Sequence, residues 1–407
     1  MMGALSGIRV LDLSRILAGP WAAQILGDLG AEVLKVERPG SGDDTRHWGP
    51  PWLQDDSGHD TETAAYFLCA NRNKRSVTID ITRAEGQALV RELAAASDVL
   101  IENYKLGSLA RYGLDYDSLK AINPRLVYCS ITGFGQSGPY AARAGYDFLI
   151  QGLGGLMSIT GRRDDEPGGG PIKAGVALTD ILTGLYAANA IQAALLWRRD
   201  SGLGQHIDMA LLDVQVACLA NQAMNFLTTG QPPNRLGNAH PNIVPYQDFP
   251  TADGHMILAI GNDGQFTRFC QEAGAPELAL DSRFARNRGR VANRVALIPL
   301  LESLTVQRST AQWIAALEAV GVPCGPINDL AAVFADAQVA ARGLRVEQRG
   351  AGGTRIPQVA SPMRLSATPV AYDAPPPQLG GDTETVLGKV LGRSPEELVR
   401  LRRDGVI

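Results

Sequence analysis

Compact apolar runs alternate with stretches whose apolar positions recur at helical spacing, and this alternation sets the expected elements. Residues 8–13 (Ile-Arg-Val-Leu-Asp-Leu) have the length and composition of a buried strand, Ser14 to Pro20 form a loop, and 21–29 carry helical spacing. Gly30 stands where a helix is closed by a left-handed residue, and Glu32 to Glu37 make a second strand. Strand, helix and strand within so few residues is a βαβ unit, which demands parallel pairing through a crossover helix. The pattern recurs as strand 76–81, helix 83–96, strand 98–102, helices 106–111 and 115–122, and strand 125–131. An open, parallel, Rossmann-like α/β sheet is therefore expected over roughly the first 200 residues.

Beyond this point long apolar helices are expected at 180–198 and from Asp208 to Phe226, and the turn formers of 229–242 read as a linker or exposed loop. A smaller α/β domain follows, with a strand at 255–260 and helices near 264–273, 291–303 and 310–319. After Pro326 the chain reads as extended and polar through 370, with a charged helix from Glu396 to Arg403. The expected organisation is a large α/β domain over 1–205, a linker helix and loop over 206–244, a small α/β domain over 245–325 and a C-terminal segment over 326–407. A length of 407 residues independently favours two domains.

Composition narrows the class of function. A net charge of −4 without a basic stripe argues against nucleic acid as a partner, though two or three local cations suffice for a small anion. The five cysteines are scattered without a CxxC pair, which fits a reducing, cytoplasmic compartment and neither a disulfide framework nor a zinc site. No signal-peptide pattern precedes the first strand and no 18-residue apolar run occurs, so no membrane association is expected. The five histidines are dispersed and no G-x-S-x-G elbow is present, which leaves metal catalysis and serine hydrolysis without a motif.

Several loops could carry chemistry. The first βα loop, Ser14 to Pro20, lies where open α/β sheets bind ligands but lacks G-x-G-x-x-G, so it is either a binding turn or only a tight turn. Arg38 and Arg46 flank a Gly/Ser turn, Asn71-Arg-Asn-Lys-Arg75 adds three cations, and Arg111 another; such groups can grip phosphate or can be a solvated face. Ser130 to Pro139 is a glycine-rich loop after a strand, and Gly261-Asn-Asp-Gly-Gln265 is a mobile lid or a turn. Asp180 is the lone acidic residue between Glu166 and Asp200, set in an apolar run at a helix start. Locally it reads as an N-cap, or as a carboxylate nucleophile held in dry surroundings.

The order of these pieces carries a resemblance. Val10-Leu-Asp-Leu-Ser-Arg-Ile-Leu-Ala-Gly-Pro20, Gly30-Ala-Glu-Val-Leu-Lys-Val-Glu-Arg-Pro-Gly-Ser-Gly-Asp43, Asn71-Arg-Asn-Lys-Arg-Ser76, Glu102-Asn-Tyr104, Ser130-Ile-Thr-Gly-Phe-Gly135 and Gly175-Val-Ala-Leu-Thr-Asp180 resemble the class III CoA-transferases, the CaiB/BaiF (formyl-CoA transferase-like) family. Gly42-Asp-Asp-Thr-Arg46, Trp48-Gly-Pro-Pro51 and Ile243-Val-Pro-Tyr-Gln247 look most like its succinyl-CoA:dicarboxylate members.

The resemblance implies an interlocked, ring-like homodimer whose C-terminal segment returns to the large domain. It implies acyl-CoA and small carboxylic acids as substrates and no tightly bound cofactor. Asp180 would be the nucleophile, passing through a mixed anhydride and an aspartyl-CoA thioester. Ile16, Leu17, Arg38, Arg72, Lys74, Arg75, Asn103, Tyr104, Arg111 and Phe134 would contact CoA. Gly261, Asn262, Asp263, Gly264 and Gln265 would be the lid, and Arg46 or Arg72 would hold an acceptor's remote carboxylate. Formyl-CoA enzymes carry glutamine in place of Leu17 and glycines in place of Asn262 and Asp263, which argues against formyl or oxalate chemistry. Racemases of the same fold use a histidine where this chain has Tyr146, a poor base at neutral pH. Epimerisation and a non-enzymatic CoA-binding role are the alternatives.

Overall fold

The computed structural model describes residues 3–350 and 353–407, so Met1, Met2, Ala351 and Gly352 lie outside the described residues. The chain divides into two units. The first takes residues 1–155, 174–220 and 337–407; the second takes 156–173 and 221–336. Relative to the boundaries expected from sequence, 206–220 pack with the large unit, whereas 156–173 and 326–336 pack with the small one.

The first unit is built on a six-stranded, all-parallel sheet of β1 (Arg9–Asp12), β2 (Glu32–Glu37), β3 (Lys74–Thr78), β4 (Val99–Glu102), β5 (Val127–Thr132) and β6 (His206–Ala210). Their spatial order, β3-β2-β1-β4-β5-β6, is that of a doubly wound sheet. Adjacent residues face opposite layers, so the strands are apolar on both sides. Leu11, Leu34, Val77 and Leu100 enter one core, shared with a helix at Ala84–Ala95 and with Val386, Leu387, Leu398 and Leu401 near the C-terminus. Val10, Val33, Val99 and Val127 enter the other, covered by α1 (Ala18–Asp28) and α2 (Leu178–Ser201). The loops after β1 and β4 diverge at the centre of the sheet, and that crevice is where such a fold receives a ligand.

Three sequence expectations require correction. The helix expected at 106–111 is instead a run of turns ending in a single 3-10 turn at Ala110–Tyr112. The helix expected from Asp208 to Phe226 is instead the edge strand β6, a helix at Leu211–Ala217 and another at Ala220–Thr229, with Ala220 at φ +45° between the helices. The stretch expected to be extended through 370 contains helices at Leu330–Ala335 and Ala337–Ala341 and a hairpin of Arg345–Arg349 with Arg355–Val359. No helix among the described residues is long and apolar enough to cross a membrane.

The second unit has a three-stranded antiparallel sheet of Tyr246–Pro250, His255–Ala259 and Cys324–Pro326. Phe249, Met256, Phe266, Phe269 and Trp313 fill its core. Arg290 is fully buried there, and its guanidinium donates to the carbonyls of Val244 (2.6 Å) and Phe284 (2.9 Å) and to Asp263 (2.9 Å).

The large unit also hides charge. Arg72 grips Asp28 through two hydrogen bonds (2.9 and 2.6 Å) and donates to the Val359 carbonyl (2.9 Å). Removing one member of a buried pair strands the other, at about 3–5 kcal/mol. Arg72→Ala is therefore expected to cost stability on that scale, whereas Arg75→Ala, which breaks an exposed pair with Glu32, costs at most about 1 kcal/mol. Urea denaturation of the two variants checks the contrast.

Candidate functional site

Asp180 is the third residue of α2, whose N-cap position is Ala177, without a side-chain cap. The cap is supplied from elsewhere. The Asp147 carboxylate, on a helix at Asp147–Leu153, accepts the N–H groups of Thr179 (2.8 Å) and Asp180 (3.2 Å), and its second oxygen accepts Gln151 Nε2 (2.7 Å). Asp180 is thereby released from the capping role that its sequence position suggested. Among the described residues its own carboxylate has neither a hydrogen bond nor an ion-pair partner. Burial pushes its pKa up to about 7, and the negative charge of Asp147 adds to the effect.

Two close approaches of backbone place this carboxylate. Gly184, one turn beyond Asp180 on the same helix face, meets α1 so tightly that a Cβ would sit 2.7 Å from the Ala18 carbonyl oxygen. Gly133, after β5, and Gly145 face each other with no room for side chains; a Cβ on Gly133 would lie 2.5 Å from the Gly145 Cα. The first contact sets Asp180 beside the start of α1. The second lays the segment 141–146 against the carboxyl end of β5.

The result is a cavity of about 320 Å³ within the large unit, at the crevice between the β1 and β4 loops. Ile16, Leu17 and Ala18 line it from the first βα loop, Asn103, Tyr104 and Lys105 from the loop after β4, and Arg143 and Tyr146 from the segment before Asp147, with Arg111 and Asp180 completing it. Of the cations, Arg15 pairs with Asp44, while Lys105, Arg111 and Arg143 have no carboxylate partner among the described residues. The Arg143 guanidinium lies over the rings of Tyr140 (4.6 Å) and Phe134 (5.3 Å). The Asn103 side chain joins the two loops, accepting the Arg15 N–H (2.9 Å) and donating to the Arg15 carbonyl (2.7 Å). Glu102 anchors Tyr104 by accepting its N–H (2.8 Å); burial pushes this carboxyl up to about 7 despite hydrogen bonds from Ser130 and Tyr104.

The site residues expected from sequence separate into two groups. Ile16, Leu17, Asn103, Tyr104, Arg111, Tyr146 and Asp180 meet at the cavity. The other expected residues of the large unit do not line it. Arg46 is buried in a bidentate pair with Glu37 (2.8 and 2.7 Å), and Arg72 is committed to Asp28. The Lys74 ammonium is fully enclosed by Asp12 (3.0 Å), Asn71 (2.9 Å) and the Pro20 carbonyl (2.9 Å). All three are buried and committed to partners inside the large unit rather than facing the cavity. Arg75 pairs with Glu32, Arg38 is exposed beyond β2, and Phe134 is a buried core residue. Gly261 to Gln265 belong to the second unit and form a capped helix start, with Asn262 accepting the Gln265 N–H (2.9 Å) and Gln265 accepting the Gly261 N–H (2.8 Å). Asp263 is held by Arg290, Arg286 and the Asn287 N–H.

Sequence reasoning did not single out Lys105, Arg143 or Tyr66, and it offered Asp147 only as the acidic member of Gly145-Tyr-Asp147, beside the position where a racemase carries histidine. Arg143 had a signal, being a lone cation in a run of small residues just ahead of Gly145. Tyr66, stacked edge-on to Trp48 (5.2 Å), had none; burial and then nearby acidic groups, Asp180 and Asp147 among them, push its phenol up to about 12.

Among the described residues, an unpaired carboxylate of raised pKa lines the same cavity as three cations without a carboxylate partner, a combination that suits covalent chemistry on a polyanionic substrate. Comparisons with known proteins identify the family. A family model described as CoA-transferase family III matches residues 5–383. The succinate–glutarate CoA-transferase of Agrobacterium fabrum is 55% identical over 386 residues, covering 95% of each chain. The human succinyl-CoA:glutarate CoA-transferase is 43% identical over 403 residues, covering 99% of this chain and 90% of its own. A crystal structure of a CaiB/BaiF family protein from Brucella suis superimposes with a TM-score of 0.84 at 52% identity, covering 96% of this chain and all of that one. The chain belongs to CoA-transferase family III and is a transferase of coenzyme A.

Proposed function

We propose that this enzyme moves CoA from succinyl-CoA to a dicarboxylic acid, glutarate foremost, with Asp180 as the nucleophile. The observation that carries the reading is the unpaired Asp180 carboxylate at a cavity that also holds Lys105, Arg111 and Arg143. The names of the Agrobacterium fabrum and human relatives support the donor and the acceptor. Tyr146, where an epimerase of this fold would need a histidine base, supports transfer over epimerisation.

The steps follow from the chemistry of a carboxylate and a thioester. An Asp180 oxygen attacks the succinyl carbonyl carbon, the C–S bond breaks, and CoA leaves as thiolate from a succinyl-aspartyl anhydride. The thiolate then attacks the aspartyl carbonyl, releasing succinate and leaving an aspartyl-CoA thioester. A carboxylate of the acceptor attacks that thioester, forming a second anhydride and freeing the thiolate again. Attack of the thiolate on the acceptor's acyl carbon gives the product thioester and restores Asp180. The N–H groups opening α2 are occupied by Asp147, so they are poor candidates for stabilising the oxyanions. Those of Ala18 and Gly19 at the start of α1 have no carbonyl partner within their helix, and Ala18 lines the cavity. The free cations suit the phosphates of CoA. Succinyl-CoA, glutarate and their products are substrates, and the reading needs no resident cofactor. It includes a cytoplasmic homodimer, which would cover Leu185, Tyr186, Leu196 and Trp197, exposed along the helix that carries Asp180.

Asp180→Ala is expected to reduce exchange between succinyl-CoA and glutarate to the background rate while leaving the thermal midpoint near that of the wild type. Turnover retained in this variant would falsify the nucleophile assignment. A panel of acids incubated with succinyl-CoA, with thioesters identified by mass, tests the acceptor; a glutarate rate below that of every other dicarboxylate would remove it from first place. The pH profile gives a third check. The nucleophile acts ionised, so the rate falls as pH drops through about 7, the value to which burial and Asp147 raise Asp180. Asp147→Asn removes the second of these causes while keeping a cap acceptor, and its acid limb is expected at lower pH. A limb that stays in place or moves upward contradicts this electrostatic account.

A further inference from the structure

Ile16 is a β-branched residue with φ +73°, in the left-handed region that such side chains rarely enter. It lies in the first βα loop, lines the same cavity as Asp180 and immediately precedes Leu17 and α1. A conformation of this kind persists only where the surroundings impose it, and what imposes it here is visible. The Ile16 N–H points inward to both oxygens of Asp43 (3.2 and 3.3 Å), while the carbonyl of the same peptide, on Arg15, accepts Asn103 Nδ2 (2.7 Å). Each face of the Arg15–Ile16 peptide is therefore tied to a different loop.

Asp43 is well fixed for this task. It is 1% exposed, and its carboxylate also accepts Lys35 Nζ (2.9 Å), the Thr45 N–H (3.0 Å) and Thr45 Oγ1 (2.8 Å). Lys35 in turn donates to the Ser14 carbonyl (2.9 Å), so one ammonium joins Asp43 to the loop two residues ahead of Ile16. Burial alone would raise the Asp43 carboxyl; Lys35 and the Thr45 donors instead hold it down at about 2, fully charged at any pH where the enzyme works.

We propose that Asp43 is a positioning residue for the transfer reaction: by holding the Ile16 N–H it keeps the first βα loop in the strained form that presents Ile16, Leu17 and the start of α1 to the acyl-CoA. The inference rests on the reading of this cavity as the acyl-CoA site. It treats the G-D pair of Gly42-Asp43 as a brace acting from 27 residues away in sequence, touching neither substrate nor Asp180.

Glycine occupies the left-handed region without strain, which gives the inference a specific test. Strain of this kind corresponds to roughly a tenfold effect or more. Asp43→Ala is expected to lower kcat/KM for succinyl-CoA by about tenfold, chiefly through KM, and adding Ile16→Gly is expected to recover about threefold or more of that loss. Ser76→Ala serves as the structural comparison. It removes a buried hydrogen bond to Glu37 in the same polar cluster (2.7 Å) without reaching the loop, so it lowers the thermal midpoint and leaves kcat/KM unchanged. If Asp43→Ala alone does not fold because Lys35 is left unpaired, the charge-balanced Lys35→Met/Asp43→Ala variant, with and without Ile16→Gly, answers the same question. Wild-type turnover with an Asp43 variant that loses only thermal stability, or with losses that multiply when Ile16→Gly is added, overturns this inference alone. A wild-type enzyme that transfers CoA to no acid overturns the functional reading and this inference together.

Discussion

A buried lattice of alternating charge, reaching to the carboxyl end of the central strand, is the constraint from which the rest of the large unit follows. Asp12, Asp43 and Glu37 interleave with Lys74, Lys35 and Arg46, and every one of the six is 6% exposed or less. Each group would be costly in an apolar interior by itself. Together they leave no charge unpaired. Burial pushes the Asp12 carboxyl up, but the Lys74 and Lys35 ammoniums outweigh it and hold the group below its ordinary value. Such a lattice tolerates few geometries, because a displaced member strands its neighbours. It therefore fixes the chain that runs through it. Asp12 accepts both the N–H and the hydroxyl of Ser14, Lys35 holds the Ser14 carbonyl, and Asp43 holds Ile16. The loop that opens the cavity is held by hydrogen bonds to members of these ion pairs, in addition to the packing of Leu17 and Ala18.

The same lattice explains which parts of the site could be read from sequence. The βαβ rhythm was legible because it is local: β2 has the expected bounds of 32–37, and helix 310–319 was likewise anticipated. The cavity's place follows from strand order, which depends on pairing between distant segments. Charge in loops was ambiguous for the same reason. Arg46, Arg72 and Lys74 resemble phosphate ligands as long as their partners are unknown, and those partners, Glu37, Asp28 and Asp12, lie 9, 44 and 62 residues away. Only folding reveals that these cations are used internally and that Lys105, Arg111 and Arg143 are not. The edge strand at His206–Ala210 was lost for a different reason: five residues of strand run straight into a helix of similar apolar content, and no glycine or proline separates them.

Asp180 illustrates a division of labour that sequence position conceals. A carboxylate in the first turn of a helix ordinarily bonds the free N–H groups there and is stabilised as the anion. Asp147 takes those donors instead. Its presence withdraws the hydrogen bonds that would otherwise hold Asp180 and adds a like charge beside it. Gln151 and Gln215, bonded to Asp147 and to the Thr179 hydroxyl, complete a polar collar around the helix start that leaves the Asp180 oxygens untouched.

That arrangement has a consequence for reactivity. A carboxylate stabilised by several donors is a weak nucleophile, because each bond must be loosened as the new C–O bond forms. A carboxylate raised to a pKa of about 7 by burial is more basic, and half of it is ionised at that pH. Loss of half the ionised population costs a factor of about two in rate, whereas an increase in basicity acts on the barrier of each step in which oxygen attacks carbon. The balance favours the raised value as long as the operating pH is near or above it. On the proposed mechanism it also demands dryness, since an anhydride formed at Asp180 would be open to water. The burial that raises the pKa also limits the access of water, so on that mechanism activation of the nucleophile and protection of the intermediate share a physical cause.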